Sequence, residues 1–191
     1  MTLPDTSPTL SLRDATRTRS NILLAAQRLF AEKGYTTTGV REVAAAAGVN
    51  STLIRRYFVS KEGLFRAAVE EFLRVDVFIE GNREDFGKRA VKLLIYGEGV
   101  TSALAMMMLA TADTGARELC SELMHRHITV PLAQWLGGGA GAMARASQIN
   151  MLWFGYMGAR QVLPLTGLEG DALDATRDWL AETIQAIVDR P

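Results

Sequence analysis

The sequence predicts an all-α protein. Apolar residues recur at three-and-four spacing along most of its 191 residues, the pattern of amphipathic helices. Glycine, proline and short polar clusters punctuate these stretches. No run alternates apolar and polar residues at the two-residue period of a strand. About nine helices are expected, as an N-terminal three-helix unit followed by a C-terminal helical bundle. Hydrophobic residues make up 48% and charged residues 22%, an ordinary balance for a globular chain.

The elements follow in order. Residues 1–12 are rich in Pro, Ser and Thr and are expected to form a flexible arm. Ile22, Ala25, Ala26, Leu29 and Phe30 then make one apolar stripe of a helix that Gly34 ends. Thr38 is placed to cap a second helix running to about Ala47, with Val40, Val43 and Ala44 on its buried face. Gly48 supplies a tight turn. Asn50 caps a short third helix closed by Tyr57 and Phe58. Ser60 caps a fourth, expected over 60–78, with Glu62 in its first turn where the dipole favours an acid. A helix over 84–96 follows, then a buried one from about Val100 to Thr111. Another starts at Asp113 or Thr114 and runs toward Leu136, interrupted near Pro131. The Gly137, Gly138, Gly139, Gly141 cluster is a loop. Two long helices remain, over 142–163 and 171–188.

Composition excludes several classes. No apolar stretch reaches the ~20 residues of a membrane span. The N-terminus has no apolar signal core. Cys120 is the one cysteine and has no internal partner, which fits a reducing cytoplasm. His125 and His127 lie two apart and point to different sides of a helix, so they do not share a metal. No catalytic constellation, metal set or cofactor motif is found, and neither enzyme activity nor a cofactor is expected. The net charge of zero hides an asymmetry. Residues 1–75 hold eleven Lys+Arg against seven Asp+Glu, a net +4, and the remainder carries −4. A basic end is a hint of a polyanion partner.

The span from Glu42 to Phe58, EVAAAAGVNSTLIRRYF, reads as helix, glycine turn, short helix. A DNA-binding helix-turn-helix needs its second helix polar or basic outside and apolar inside. Val49, Leu53 or Ile54, and Phe58 can face inward, leaving Ser51, Thr52, Arg55 and Arg56 outward. Hydroxyls and guanidinium groups suit phosphates and base edges.

Residues 22–65 resemble the N-terminal domain of the TetR family of bacterial regulators. The resemblance rests on Ala25-Ala26, Leu29-Phe30, Gly34-Tyr35, Thr38, Val43-Ala44, Ala47-Gly48-Val49, Tyr57-Phe58 and Lys61-Glu62-Gly63-Leu64. It implies a reading domain over 13–65, linked through the helix 60–78 to a ligand-sensing and dimerising domain over 79–191. It implies DNA contacts for Thr38, Arg41, Asn50, Ser51, Thr52, Arg55, Arg56, Tyr57 and Lys61. Lys61 would meet a phosphate at a helix N-terminus. Asn50, Thr52, Arg55 and Gly39 depart from the residues usual in the family, so the site read on DNA does not follow from the resemblance.

The resemblance also implies a homodimer on a palindromic operator in double-stranded DNA. The last two helices would pair with their symmetry mates, with Ile149, Leu152, Trp153, Tyr156, Leu180, Ile184 and Ile187 as candidate interface residues. It implies a small-molecule pocket as well. Candidate lining residues are Met106, Met107, Met108, Met124, Trp135, Trp153, Phe154 and Tyr156, and an apolar effector suits methionines. The expected function is thus a cytoplasmic repressor released by its effector. The alternatives are a constitutive DNA-binding regulator without a ligand, and an all-helical enzyme or carrier.

Overall fold

The computed structural model describes residues 8–190, with side chains over 14–97 and 103–190. Among them every regular element is helical. The α-helices are α1 (Pro8–Thr37), α2 (Val40–Ala46), α3 (Ser51–Phe58), α4 (Lys61–Glu70), α5 (Asp76–Ile79), α6 (Phe86–Tyr96), α7 (Glu98–Leu109), α8 (Thr114–Met124), α9 (Val130–Trp135), α10 (Gly139–Met157) and α11 (Gly170–Val188). Short α5 and α9 take the count past the expected nine. The expected helix over 60–78 is broken into α4 and α5.

The arm expected over 1–12 lies partly outside the described residues, and α1 already begins at Pro8. The stretch expected as one helix from Asp113 toward Leu136 is split. A π-helical turn, His125–Thr129, separates α8 from α9, and Pro131 sits in the first turn of α9. Proline lacks an N–H, so it fits where no bond back along the helix is required. A second π-helical turn, Gly158–Val162, extends α10.

Side-chain caps set several starts. Asn50 accepts from the Thr52 N–H at 2.9 Å, Ser60 from Gly63 N–H at 3.0 Å and Asp113 from Ala116 N–H at 2.8 Å. One apolar core runs from Ile22 in α1 to Val188 in α11. Its N-terminal end is a ring cluster. Phe65 meets Phe30 edge-on at 5.0 Å and Tyr35 at 4.9 Å, pinning α4 to the end of α1. Further on, Phe86 stacks on Trp135 at 4.8 Å and Phe78 on Trp153 at 4.6 Å.

Contacts on two sides tie the N-terminal helices to the rest. Gly34, near the end of α1, adopts φ +80°, ψ 172°, a region open essentially to glycine alone. A Cβ there would lie 3.2 Å from the Leu109 carbonyl oxygen at the end of α7. On the other side, Arg66 of α4 grips Glu122 of α8 through both its terminal nitrogens, at 3.1 and 3.4 Å. His127 stands 3.7 Å from Glu70 beside it.

Candidate nucleic-acid interface

The helix-turn-helix is α2, a turn at Gly48, and α3. Gly48 has φ +67°, which glycine adopts at little cost. The amphipathic division of α3 is sharp. Ile54 is 1% and Phe58 6% exposed, while Thr52, Arg55 and Arg56 face outward. Both arginines lie in the last turn of α3, where cations oppose the helix dipole favourably. Arg41 is exposed on α2, and Ser51 and Tyr57 are half-buried at the rim of α3. Asn50 is exposed, but its side-chain oxygen is occupied. It accepts from the Thr52 N–H and also from the Thr52 hydroxyl at 2.9 Å. The pair therefore presents the Asn50 amide nitrogen as its free donor.

Thr38 departs from what the resemblance implies. Its side chain is 1% exposed. The hydroxyl lies 2.8 Å from the Gly34 carbonyl and 3.2 Å from the Leu29 carbonyl. Gly39, with no side chain to bond, stands at the cap position of α2. Thr38 thus closes the end of α1 from inside the core and does not stand on the outer surface. The cause is local: the helix end leaves carbonyls without partners, and a buried hydroxyl supplies one.

Lys61 is half-buried at the start of α4. Its ammonium donates to the Thr36 carbonyl at 3.3 Å and sits 4.5 Å from the Tyr35 ring centroid. Burial holds it below the usual lysine range, with the Asp113 carboxylate opposing that effect. Nearby Arg19 lies over the Phe58 ring at 5.3 Å. Val59, which ends α3, has φ +66° and is 78% exposed. The Ser60 N–H closes back to the Phe58 carbonyl at 2.7 Å. That is a γ-turn of the rarer, strained hand, forced on a β-branched residue.

A cavity of about 570 Å³ opens among α7, α8 and α10. Four of the expected lining residues are there: Met107, Met108, Met124 and Phe154. Four are not among its lining residues. Met106 is fully buried in the core, Trp135 and Trp153 are held in ring stacks, and Tyr156 accepts from Arg160 at 3.2 Å. Trp153 instead borders a separate void of about 20 Å³. The wall is mixed rather than wholly apolar. Arg117, Ser121 and His125 face the cavity from one stripe of α8 and the turn after it. Their spacing of four was the available signal, but the apolar stripe through Leu119 and Leu123 dominates the reading of that helix. Cys120 also lines the cavity, and burial pushes its thiol up to about 12.

The expected interface set also needs correction. Ile149, Trp153, Tyr156, Leu180, Ile184 and Ile187 are each at most 7% exposed within the single chain. They are core, and only Leu152 remains half-buried. The periodicity marks an apolar face without saying what covers it. The outer apolar side chains of α10 and α11 are Met151 at 65% and Trp179 at 56% exposure.

Two family models match in chain order. Residues 22–68 match the bacterial regulatory proteins of the tetR family, and residues 84–188 match the tetracyclin repressor-like C-terminal domain. The second alone spans more than half of the chain. The chain belongs to the TetR family. Within it, the chain is 25% identical over 130 residues to the transcriptional regulator UidR of Escherichia coli, covering 58% of this chain and 66% of that one. It is 40% identical over 58 residues to the transcriptional repressor NicS of Pseudomonas putida, 30% of this chain and 27% of that one. The match therefore spans just under two thirds of UidR and about a quarter of NicS. A crystal structure of a TetR-family regulator from Streptomyces coelicolor superposes with a TM-score of 0.60 at 29% identity, covering 92% of this chain and 96% of that one. These TetR-family relatives are regulators rather than enzymes. Among the described residues no helix is long and apolar enough to cross a membrane.

Proposed function

We propose that this protein represses transcription as a homodimer on a two-fold symmetric DNA site, and that a small molecule in the 570 Å³ cavity releases it. The carrying observation is α3. It is capped by Asn50, buried through Ile54 and Phe58, and exposes Thr52, Arg55 and Arg56 together. A single such helix reads only a few base pairs. Two of them spaced ~34–36 Å apart by a dimer read one turn further along the groove.

In this reading Arg55 and Arg56 meet phosphates or guanine edges, with Ser51, Thr52, Asn50 and Arg41 around them. Tyr57 approaches the backbone from the rim. Lys61 must leave the Thr36 carbonyl to reach a phosphate, so it contributes less than the two arginines. The dimer forms through the outer faces of α10 and α11, with Met151 and Trp179 at its centre and Leu152 beside them. The name of NicS supports the negative sign of regulation. An effector acts by binding better to a dimer whose reading helices are mis-spaced for the operator.

The test is a salt titration of binding to genomic fragments. Log affinity should fall by ~0.9 for each phosphate contact per unit of log salt. The Arg55→Ala, Arg56→Ala variant should bind more weakly and with a shallower slope. Equal slopes for variant and parent would sink the placement of α3 on DNA. A constitutive regulator without a ligand is distinguished by a cavity that takes up no small molecule.

A further inference from the structure

We infer that the cavity selects amphipathic carboxylic acids, a class defined by its one charged end and apolar body. The inference rests on the effector reading above and concerns the same cavity.

The cavity has two unlike sides. Met107 and Met108 at the end of α7, Phe154 of α10 and Val162 of the turn after it supply an apolar side. Gly158 makes room for the end of the Met108 side chain. A Cβ there would lie 2.9 Å from the terminal methyl of Met108. Methionine and phenylalanine accept aliphatic or aromatic bodies of varied shape.

Polar lining groups come from just past the end of α7, from α8 and the turn after it, and from α10, and their hydrogen-bonding state is uneven. Thr111, Thr129 and Ser147 already donate to the carbonyls of Met108, Met124 and Met143 at 2.7, 3.2 and 2.9 Å. Thr129 also accepts from Asn150 at 2.8 Å. Arg117, Ser121 and His125 have no such side-chain partner among the described residues. They lie at i, i+4 and i+8, one above the next along the cavity wall. All three can donate, and Arg117 offers a planar fork that matches a carboxylate. Among the described residues no aspartate or glutamate lines the cavity. Cys120 stays a neutral thiol, so it adds no negative charge. A ligand that fits both sides therefore carries an anionic head toward Arg117 and an apolar body toward Met108 and Phe154. An amine would find no counter-charge among the described lining residues, and a wholly apolar ligand would gain nothing from the three exposed donors.

The test uses two matched probe series on the full chain: 4-phenylbutyrate, 4-phenylbutanol and 4-phenylbutylamine, and octanoate, octanol and octylamine. Binding is read by calorimetry on the parent, Arg117→Gln and Arg117→Glu. Arg117 is exposed, and unchanged thermal unfolding of each variant checks that it still folds. At least one acid is expected to bind the parent about tenfold or more tightly than its alcohol. Arg117→Gln should erase that preference, and Arg117→Glu should turn it toward the amine. Alcohols binding as tightly as acids, or a preference untouched by Arg117→Glu, would overturn the acid selectivity while leaving a ligand cavity in place. No binding by any probe would overturn both the selectivity and the effector reading.

Discussion

Replacing Thr38 by valine separates a core role from a DNA-contacting one at a position where the family resemblance and the structure differ. Valine keeps the branched shape and removes the hydroxyl. The Thr38 side chain is 1% exposed, and its hydroxyl stands 2.8 and 3.2 Å from two carbonyls at the end of α1. Loss of this donor leaves a buried acceptor short of a partner, which costs about 1–3 kcal/mol. In a chain of 150–250 residues each kcal/mol lowers the melting temperature by about 2–4 °C. Thr38→Val should therefore melt about 2–12 °C below the parent by circular dichroism. At 20 °C, where both proteins are folded, their DNA affinities should agree within about twofold. An unchanged melting temperature together with a clear loss of affinity would refute the reasoning and put the hydroxyl on the DNA.

Three further outcomes follow from the packing and the charges. Gly87 of α6 lies so close to α11 that a Cβ would sit 2.1 Å from the Ala181 carbonyl oxygen, and its N–H donates to Gln185 at 2.9 Å. Gly87→Ala must part the two helices, so a loss of about 3 kcal/mol or more is expected in urea unfolding. Val59→Gly relieves the positive φ at the end of α3, and the gain exceeds the extra chain entropy of glycine by about 1 kcal/mol. Its unfolding midpoint should rise while DNA affinity holds. The Arg66 hydrogen bond keeps the Glu122 carboxyl below its ordinary value of 4.5. The sign of its contribution is set by linkage: present above pH 4.5, lost as pH falls through the lowered folded value. Glu122→Gln should therefore lose less stability than the parent on acidification below that pH, measured by thermal melts across the range.

Much of the N-terminal fold was legible because its boundaries are written in side-chain chemistry. Asn50 and Ser60 can bond a free N–H only at a helix start, and Gly48 permits the turn between. Spacing places Phe58 inward on α3 but leaves Leu53 or Ile54 beside it open, and the structure buries Ile54. The direction of Thr38 was not legible, since a threonine before a helix can serve the cap, the surface or the neighbouring helix. The C-terminal part was harder for a different reason. Apolar periodicity gives the face of a helix that avoids water, yet Trp153 and Ile184 show that this face can belong to the chain's own interior. Sequence also put methionines and aromatics together as pocket candidates. Whether each lines a void or fills one depends on the tertiary neighbours, as Met108 beside Gly158 and Met106 in the core illustrate. The π-helical turn before Pro131 has no sequence marker besides the proline itself.

The last turn of α7 bears on how this protein can be taken apart. Met107 and Met108 border the cavity, and the next residue, Leu109, fills the hollow left by Gly34 at the end of α1. Three successive residues thus belong to what would be drawn as two modules. A hybrid regulator that joins residues 1–78 to a foreign sensor keeps the hollow at Gly34 and loses the leucine that fills it. Such a graft needs a matching side chain from its new partner, or the reading head will sit loose however well its own helices fold.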